Sequence, residues 1–269
     1  MQFTVQKKRY WLDFLYAMTA KEIKARYKRT LLGFLWIVIN PLSQMLVMGV
    51  VFQFFVPVQV DNYFLFLFAG LLPWNFFAQS LTKGTPAFFY ERNLIKKARF
   101  PREAIVLSIV LSNLFHFLVA LGLLLVALVV DKWWLESYSL WELLLYIARM
   151  GWLLPALVLA LLFTVGLTLL TATLNVRFRD VSFIVQLAVM LWFYSTPVIY
   201  ALNLLPELLR PLFYLNPMTL IVELFHYALM GLPLTLPELW WVGVVIIAVV
   251  FYMGVLVFGR ESRNFDDWL

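Results

Sequence analysis

The stretch AIVLSIVLSNLFHFLVALGLLLVALVV, residues 104–130, contains no Asp, Glu, Lys or Arg. Five further stretches share this property and lie at residues 30–60, 62–82, 150–176, 181–206 and 239–259. About 20 residues of helix cross the apolar core of a bilayer, so all six stretches are long enough to span it. Lipid offers no partner for backbone N–H and C=O groups, and such segments must therefore be helical. The sequence predicts an all-α integral membrane protein with six transmembrane helices, at about 33–56, 63–82, 104–130, 150–173, 181–200 and 239–258.

The composition agrees with this architecture and excludes several classes of protein. Hydrophobic residues make up 64% of the chain and charged residues only 13%, against about 25% charged residues in a soluble domain. Without cysteine, neither a disulfide framework nor a thiolate metal site is possible. The sequence also lacks the GxxxxGK[ST] loop that cradles the phosphates of ATP. We therefore expect a single transmembrane domain, residues 1–269, that is not an enzyme and binds no cofactor.

The basic residues predict the orientation of the spans. Of the 21 Lys and Arg residues, only Lys132, Arg149 and Arg210 lie between spans on what becomes the outer side. Lys and Arg next to spans are retained in the cytoplasm, so both termini are predicted to be cytoplasmic. The net charge of +6 follows from this topology and from attraction to anionic lipid heads. It requires no nucleic-acid partner.

Residues 1–29 form a predicted amphipathic cytoplasmic segment. Trp11, Phe14, Leu15 and Met18 share one face of a helix, and a basic stripe of Lys21, Lys24 and Lys28 follows. An apolar face followed by basic residues is typical of a helix that lies in the membrane interface. The alternative is a solvated basic leader that serves only to set the topology.

The segment ERNLIKKARFPRE, residues 91–103, is the charged part of a predicted cytoplasmic loop at 83–103. It has room for about two helical turns before Pro101, which disfavours helix at the residue preceding it. One interpretation is a basic loop that obeys the topology rule. The other is a docking helix whose apolar Leu94 and Ile95 enter a groove on a partner, with charges at the rim.

Residues 201–238, predicted to lie on the outer side, contain two uncharged pieces at 211–222 and 224–237. Both pieces are too short to cross a bilayer, yet they are apolar enough to enter it. Asn216-Pro217, Gly231 and Pro233 interrupt them as helix breakers. The pattern predicts short re-entrant or interfacial helices between the fifth and sixth spans.

Aromatic side chains inside the predicted spans form a second candidate feature. Trp74 and Phe77 lie within the second span, and Trp192 and Tyr194 lie within the fifth. Aromatic faces in a wide passage would offer apolar stacking to sugar rings, although core or lipid-facing positions explain the same residues. No charged residue lies in the middle of a span, which argues against an ion-coupled carrier or an intramembrane hydrolase.

Six motifs in this order resemble one family of transporters. They are RYKRTLLGFLWIVINPL (26–42), GLLPWNFF (70–77), ERNLIKKARFPRE (91–103), TLNVRFRDV (173–181), STPVIY (195–200) and YLNPMT (214–219). Together they resemble the permease subunits of type-2 ABC exporters that move cell-surface polysaccharides such as O-antigen, capsule and teichoic acid. The resemblance implies a channel-forming subunit that carries a lipid-linked polysaccharide out of the cytoplasm, and O-antigen is the favoured substrate.

The same resemblance implies partners and residue roles. The expected assembly is a homodimer in the bacterial inner membrane, bound to two copies of a cytoplasmic ATPase that holds the ATP and magnesium. The ATPase-coupling helix would comprise Glu91, Arg92, Asn93, Leu94, Ile95, Lys96 and Lys97. The outer gate, within residues 201–238 and the motif before them, would include Tyr200, Tyr214, Asn216 and Pro217. Arg26, Lys28 and Arg29 would attract the pyrophosphate of the substrate at its entry, while Trp74, Phe77, Trp192 and Tyr194 would line the substrate channel.

Three alternatives stay open at this point. A type-2 ABC exporter of capsule, teichoic acid, lipid or drug would share the fold and the topology. A membrane-embedded glycosyltransferase or acyltransferase would need a cluster of Asp, His or Glu at the interface, and the sequence contains no such pattern. A passive channel would work without an ATPase partner.

Overall fold

The computed structural model describes residues 2–55, 62–97, 100–135, 139–233 and 240–265, and most of these residues are helical, with no strand among them. The first helices are α1 (Gln2–Tyr27), α2 (Trp36–Phe55), α3 (Tyr63–Gly84), α4 (Ala87–Tyr90), α5 (Arg92–Lys97) and α6 (Glu103–Val130). They are followed by α7 (Leu140–Met150), α8 (Leu153–Arg177), α9 (Val181–Tyr194), α10 (Arg210–Tyr214), α11 (Pro217–Met230) and α12 (Trp240–Glu261). The predicted all-α class is confirmed.

Five helical segments in the described residues are long and apolar enough to cross a membrane. They are Gly33–Phe52, Tyr63–Gly84, Glu103–Trp133, Leu140–Arg177 and Trp240–Asn264. The chain is therefore a multi-pass membrane protein.

The predicted fifth span at 181–200 differs from the observed helix. Helix α9 has 14 residues, about 21 Å of helix, which is shorter than the bilayer core of about 30 Å. It ends at Tyr194, three residues before Pro197. Proline disfavours helical backbone at the residue before it, so the chain turns here instead of continuing to residue 200.

Helix α3 lies at the centre of the bundle and contacts α2, α6, α8, α9 and α11. Most of its side chains are buried. At Gly70 an added Cβ would lie 3.2 Å from the backbone of Val198 and from the ring of His226, so the missing side chain lets these elements approach. Helix α11, although apolar and short, is buried along nearly its whole length against α3 and α8.

Helices α8 and α12 form the most extensive helix pair of the bundle. Their backbones meet at Gly166 and Gly254, where an added Cβ on Gly254 would lie 2.1 Å from the Gly166 carbonyl oxygen. Small residues at such crossings let helices approach closely in lipid, where apolar side chains gain little from mutual burial.

One end of the bundle, which we call the basal end, is where α3, α8 and α12 finish and α6 begins. A separate apolar cluster lies here, and we call it the basal cluster. Its members include Met18, Phe88, Ile95, Ile105, Val176, Phe258 and Phe265. Phe265 is fully buried, with its ring centroid 4.8 Å from that of Phe88. The cluster thus joins α1, α4, α5 and the segment after α12.

Helix α1 packs along α6 from the basal end. Trp11 donates a hydrogen bond to Glu103 at 3.0 Å, and Arg26 reaches His116, about 20 Å further along α6. Leu15 and Met18 are buried, and Phe14 stacks on Phe100. The apolar face predicted for residues 1–29 is therefore used against the chain itself, and its placement in the membrane interface stays a prediction.

Candidate functional site

A cavity of about 460 Å³ lies between α1, α2, α3 and α6, in the basal half of the bundle. Its size falls within the range of about 300–1,000 Å³ that is usual for small-ligand sites. Each of α2, α3 and α6 contributes residues three or four positions apart, such as Leu72, Asn75, Gln79 and Lys83 on α3. That spacing places them on one helix face.

The basal part of the cavity is cationic. Arg26 donates hydrogen bonds to His116 Nδ1 at 2.9 Å and to Asn113 Oδ1 at 2.6 Å, and Lys83 lines the same cavity. Burial lowers the pKa of Arg26, but a guanidinium remains protonated at neutral pH. Two positive side chains therefore face a space large enough for a ligand.

The contact with Arg26 fixes the tautomer of His116. A guanidinium can only donate, so His116 accepts at Nδ1 and carries its ring proton at Nε2. The Nε2 atom is buried and has no hydrogen-bond partner in the described part of the chain. A buried donor without a partner is costly, and His116 lines the cavity. His116 therefore acts as the acceptor that orients Arg26 at the cavity.

Further from the basal end, the cavity is lined by four amide side chains. Asn40 and Gln44 lie on α2, and Asn75 and Gln79 lie on α3. Asn75 Nδ2 donates to Gln44 Oε1 at 2.8 Å and connects the two helices. These amides, together with Lys83, Asn113 and His116, were not among the residues predicted from the sequence. The sequence did contain an indication of them, because the two amide residues on each helix are four positions apart in an otherwise apolar span.

Of the three predicted entry residues, the structure places Arg26 in the cavity. Lys28 and Arg29 are exposed and do not line it. A role for them at the entrance stays a prediction.

Comparison with known proteins identifies the family. Residues 14–230 match the model of the ABC-2 type transporter family. The chain belongs to the ABC-2 type transporters. Similar proteins include one from Klebsiella pneumoniae named O-antigen export system permease protein RfbA, which is 32% identical over 97% of this chain and 96% of its own length. A second Klebsiella pneumoniae protein of that name is 35% identical over 78% of this chain and 77% of its own. One from Myxococcus xanthus, with the same name, is 37% identical over 72% of this chain and 70% of its own.

In this ABC-2 transporter the predicted channel aromatics do not share one surface. Trp74 and Phe77 are buried in an aromatic cluster with Phe163, Trp192 and Phe193, whose ring centroids lie 5.3–5.8 Å apart. Tyr194 is exposed. Contact between a glycan and Trp74 or Phe77 would require these rings to leave the core of a single copy, so their channel role stays a prediction.

The predicted gate residues meet around Asn216. Its side chain accepts from Trp192 Nε1 at 2.8 Å and from the Met218 backbone N–H at 3.0 Å, which caps α11. It also donates to the Ser195 carbonyl and to Thr196 Oγ1. Pro217 begins α11, a position that its missing N–H favours. Asn216 therefore connects the end of α9 to the start of α11.

Two predicted gate tyrosines lie beside this connection. Tyr200 donates to the Tyr194 carbonyl at 2.8 Å and contacts the ring of Phe213. Tyr214, at the end of α10, is partly buried. Whether these residues open and close a passage stays a prediction.

The predicted coupling segment comprises a turn at Glu91 and helix α5. Ile95 is buried in the basal cluster, and Leu94 packs beside it. Arg92, Asn93, Lys96 and Lys97 are exposed, while Glu91 pairs with Lys21 of α1. Ile95 therefore faces its own chain and is not available to a groove on a partner. The exposed surface of α5 is polar and basic.

Proposed function

We propose that this chain is the membrane subunit of an ATP-driven exporter that moves lipid-linked O-antigen out of the cytoplasm. The observation that carries the proposal is the similarity to O-antigen export permeases, at 32% identity across 97% of the chain. A cavity that combines cations with uncharged polar side chains suits a substrate made of a phosphate group and sugars.

The proposed topology has six crossings, with both termini on the cytoplasmic side of the bacterial inner membrane. The basal end carries Lys83, Lys96 and Arg177, and retention of basic residues favours its assignment to the cytoplasm. Helix α9 and the turn at 195–200 together make the fifth crossing. The buried α11 then enters the bundle from the outer side as a re-entrant helix.

The proposed assembly is a homodimer with two copies of an ABC ATPase. We assign the contact between the two permeases to α2 and α9, which both expose large apolar side chains in a single copy. On α9 these include Phe183, Ile184, Leu187 and Met190. On α2, Leu46, Val47 and Val50 are exposed. A second copy seated against these helices would enclose a passage between the protomers.

The exposed surface of α5 is the proposed contact with the ATPase. ATP and magnesium are bound by that partner, and closure around ATP shifts this chain only if the two states of α5 are contacted differently. Arg92, Asn93 and Lys96 are the exposed contact residues, and Ile95 fixes the helix to the basal cluster. A displacement of α5 would be transmitted to α1 and α12 through the basal cluster.

The proposed entry site for the pyrophosphate is the cationic part of the cavity. Arg26 and Lys83 supply positive charge to it. Charge-assisted hydrogen bonds to phosphate are stronger than those between neutral groups. Of the residues first predicted for this role, Arg26 is retained.

Deletion of the gene tests the function directly. We expect lipid-linked O-antigen to accumulate in the cytoplasm while the cell surface loses it, as read by fractionation and immunoblotting. Surface polymer at wild-type level would contradict the proposal. Cells that make no polymer at all would indicate a transferase instead.

Charge reversal on α5 tests the contact with the ATPase. Arg92→Glu with Lys96→Glu should abolish copurification of the ATPase, while the permease remains in the membrane at normal abundance. Lys132→Glu, near the opposite end of the bundle, is the matched control. Undiminished copurification in the α5 variant would remove this helix from the interface.

A further inference from the structure

The four amides of the cavity form a polar stripe that continues from the cationic part into the bundle. Gln44 lies about 12 Å along α2 from Trp36, which corresponds to a considerable part of a bilayer core of about 30 Å. Asn75 and Gln79 face it from α3. We call Asn40, Gln44, Asn75 and Gln79 the amide ladder.

Hydrogen bonding between helices explains only two of the four residues in the amide ladder. Polar side chains do bind membrane helices to one another, and the Asn75–Gln44 hydrogen bond is of this kind. Asn40 and Gln79 are exposed to the cavity, and neither side chain has a hydrogen bond within the described residues. These two side chains hold no helices together, so packing gives no reason for an amide at either position.

Backbone chemistry adds an acceptor on the same face. Pro41 has no N–H, so the carbonyl of Ile37 lacks its usual helical donor. Both residues line the cavity. The ladder therefore presents amide donors and amide acceptors, and α2 adds a carbonyl without its usual helical donor.

This mixture of donors and acceptors discriminates between ligands. A phosphate oxygen only accepts hydrogen bonds, and the cationic end already supplies donors to it. A sugar hydroxyl both donates and accepts, as an amide does. Trp36, Phe76 and Phe117 line the same space, which gives the combination of aromatic walls and a few placed polar groups that is usual in ligand sites.

We infer that the amide ladder is a sugar subsite, which holds the hydroxyl groups of the sugar nearest the diphosphate of the lipid-linked substrate. The inference rests on the proposed function and deepens it. The cationic part of the cavity binds the diphosphate, and the amide ladder forms hydrogen bonds with the sugar attached to it. The cavity thus recognises the junction between diphosphate and sugar, which a bare lipid diphosphate lacks.

A binding experiment with two probes tests this assignment. The full chain, in complex with its ATPase and in phosphatidylcholine nanodiscs, is titrated with farnesyl diphosphate and with farnesyl diphosphate–N-acetylglucosamine, and empty nanodiscs correct for partitioning. We expect the wild type to bind the glycosylated probe about tenfold more tightly. Asn40→Leu and Gln79→Met should each reduce that preference by about threefold to tenfold, the usual effect of one lost hydrogen bond.

The variants are chosen to separate binding from folding. Neither Asn40 nor Gln79 makes an internal side-chain hydrogen bond in the described residues, so binding of bare farnesyl diphosphate should stay at the wild-type level. Ser43→Leu is the matched control, because Ser43 is exposed on α2 and does not line the cavity. It should leave the affinity for both probes unchanged.

Three results would overturn the sugar subsite. They are equal affinity of the wild type for both probes, an unchanged preference in both ladder variants, and no binding of the glycosylated probe. Nanodiscs with phosphatidylglycerol distinguish a lipid headgroup, because displacement of both probes to the same extent would assign the cavity to that headgroup. Export measured in cells is independent of these results, so the proposed function is tested separately.

Discussion

The two faces of helix α3 differ in what they contact. One face, with Trp74 and Phe77, is buried among the rings of α8 and α9. The other, with Asn75 and Gln79, borders the cavity against α2 and α6. Residues one position apart on a helix point in different directions, so Trp74 and Asn75 belong to different environments. The comparison indicates that a single helix can hold the bundle together on one side and line a polar cavity on the other.

The largest effect is expected on the aromatic face. Phe77→Ala removes a fully buried ring that contacts Phe163 and Trp192. Truncation of a buried Phe typically costs about 3–5 kcal/mol, so we expect a large loss of thermal stability in detergent, read by tryptophan fluorescence. Leu46→Ala, at an exposed position on α2, serves as the control. Normal stability together with lost export would instead assign Phe77 to the passage.

The cationic part of the cavity gives the next largest effect. Arg26→Met removes a charge and leaves Asn113 and His116 without their donor. We expect export, measured as surface polymer per unit of permease, to fall about tenfold to hundredfold, since a lost charged hydrogen bond costs about 1.5–3 kcal/mol. Lys28→Met, which is exposed and outside the cavity, should export normally. Equal export by the two variants would show that the cationic part of the cavity does not contribute to substrate entry.

The connection between the aromatic face and α11 should have an intermediate effect on stability. Asn216→Ala removes the cap of α11 and leaves Trp192 Nε1–H without its acceptor. Loss of such a cap costs about 0.5–2 kcal/mol, which the same thermal assay should detect. Asn203→Ala, at an exposed asparagine, should have no effect. Equal stability of the two variants would show that the cap does not matter for folding.

The smallest effect on stability is expected on the amide face. Gln79→Met changes an exposed side chain, and substitutions away from packed features usually stay within about 0.5 kcal/mol. The midpoint of thermal unfolding should therefore match that of the wild type. A marked destabilisation would mean that Gln79 supports the packing of α3, and the contrast between its two faces would disappear.

The long membrane-crossing helices could be predicted from the sequence, because a segment that crosses lipid must be both long enough to span it and apolar. The start of α3 at Tyr63 and the end of α6 at Val130 follow from the nearby charged residues Asp61 and Asp131. The end of α9 was harder to predict, since Ser195 and Thr196 are uncharged and only Pro197 marks the break.

The candidate site was only partly predictable, for a different reason. Counting charges finds Arg26, but it overlooks Asn40, Gln44, Asn75 and Gln79, which are polar without charge. The direction of Ile95 could not be predicted either, because the buried face of a six-residue helix depends on the elements packed against it. Those elements include α1 and Phe265, which are distant in sequence.

The burial of Phe265 has a consequence for how the protein is made. Phe265 lies downstream of α12 and of every other membrane-crossing helix, yet it packs against Phe88, within the segment that leads into α5. Ribosomes add residues from the N-terminus onward, so the basal cluster lacks this ring until the last crossing helix has been synthesised. The cluster that fixes α5, the proposed contact with the ATPase, is therefore completed last.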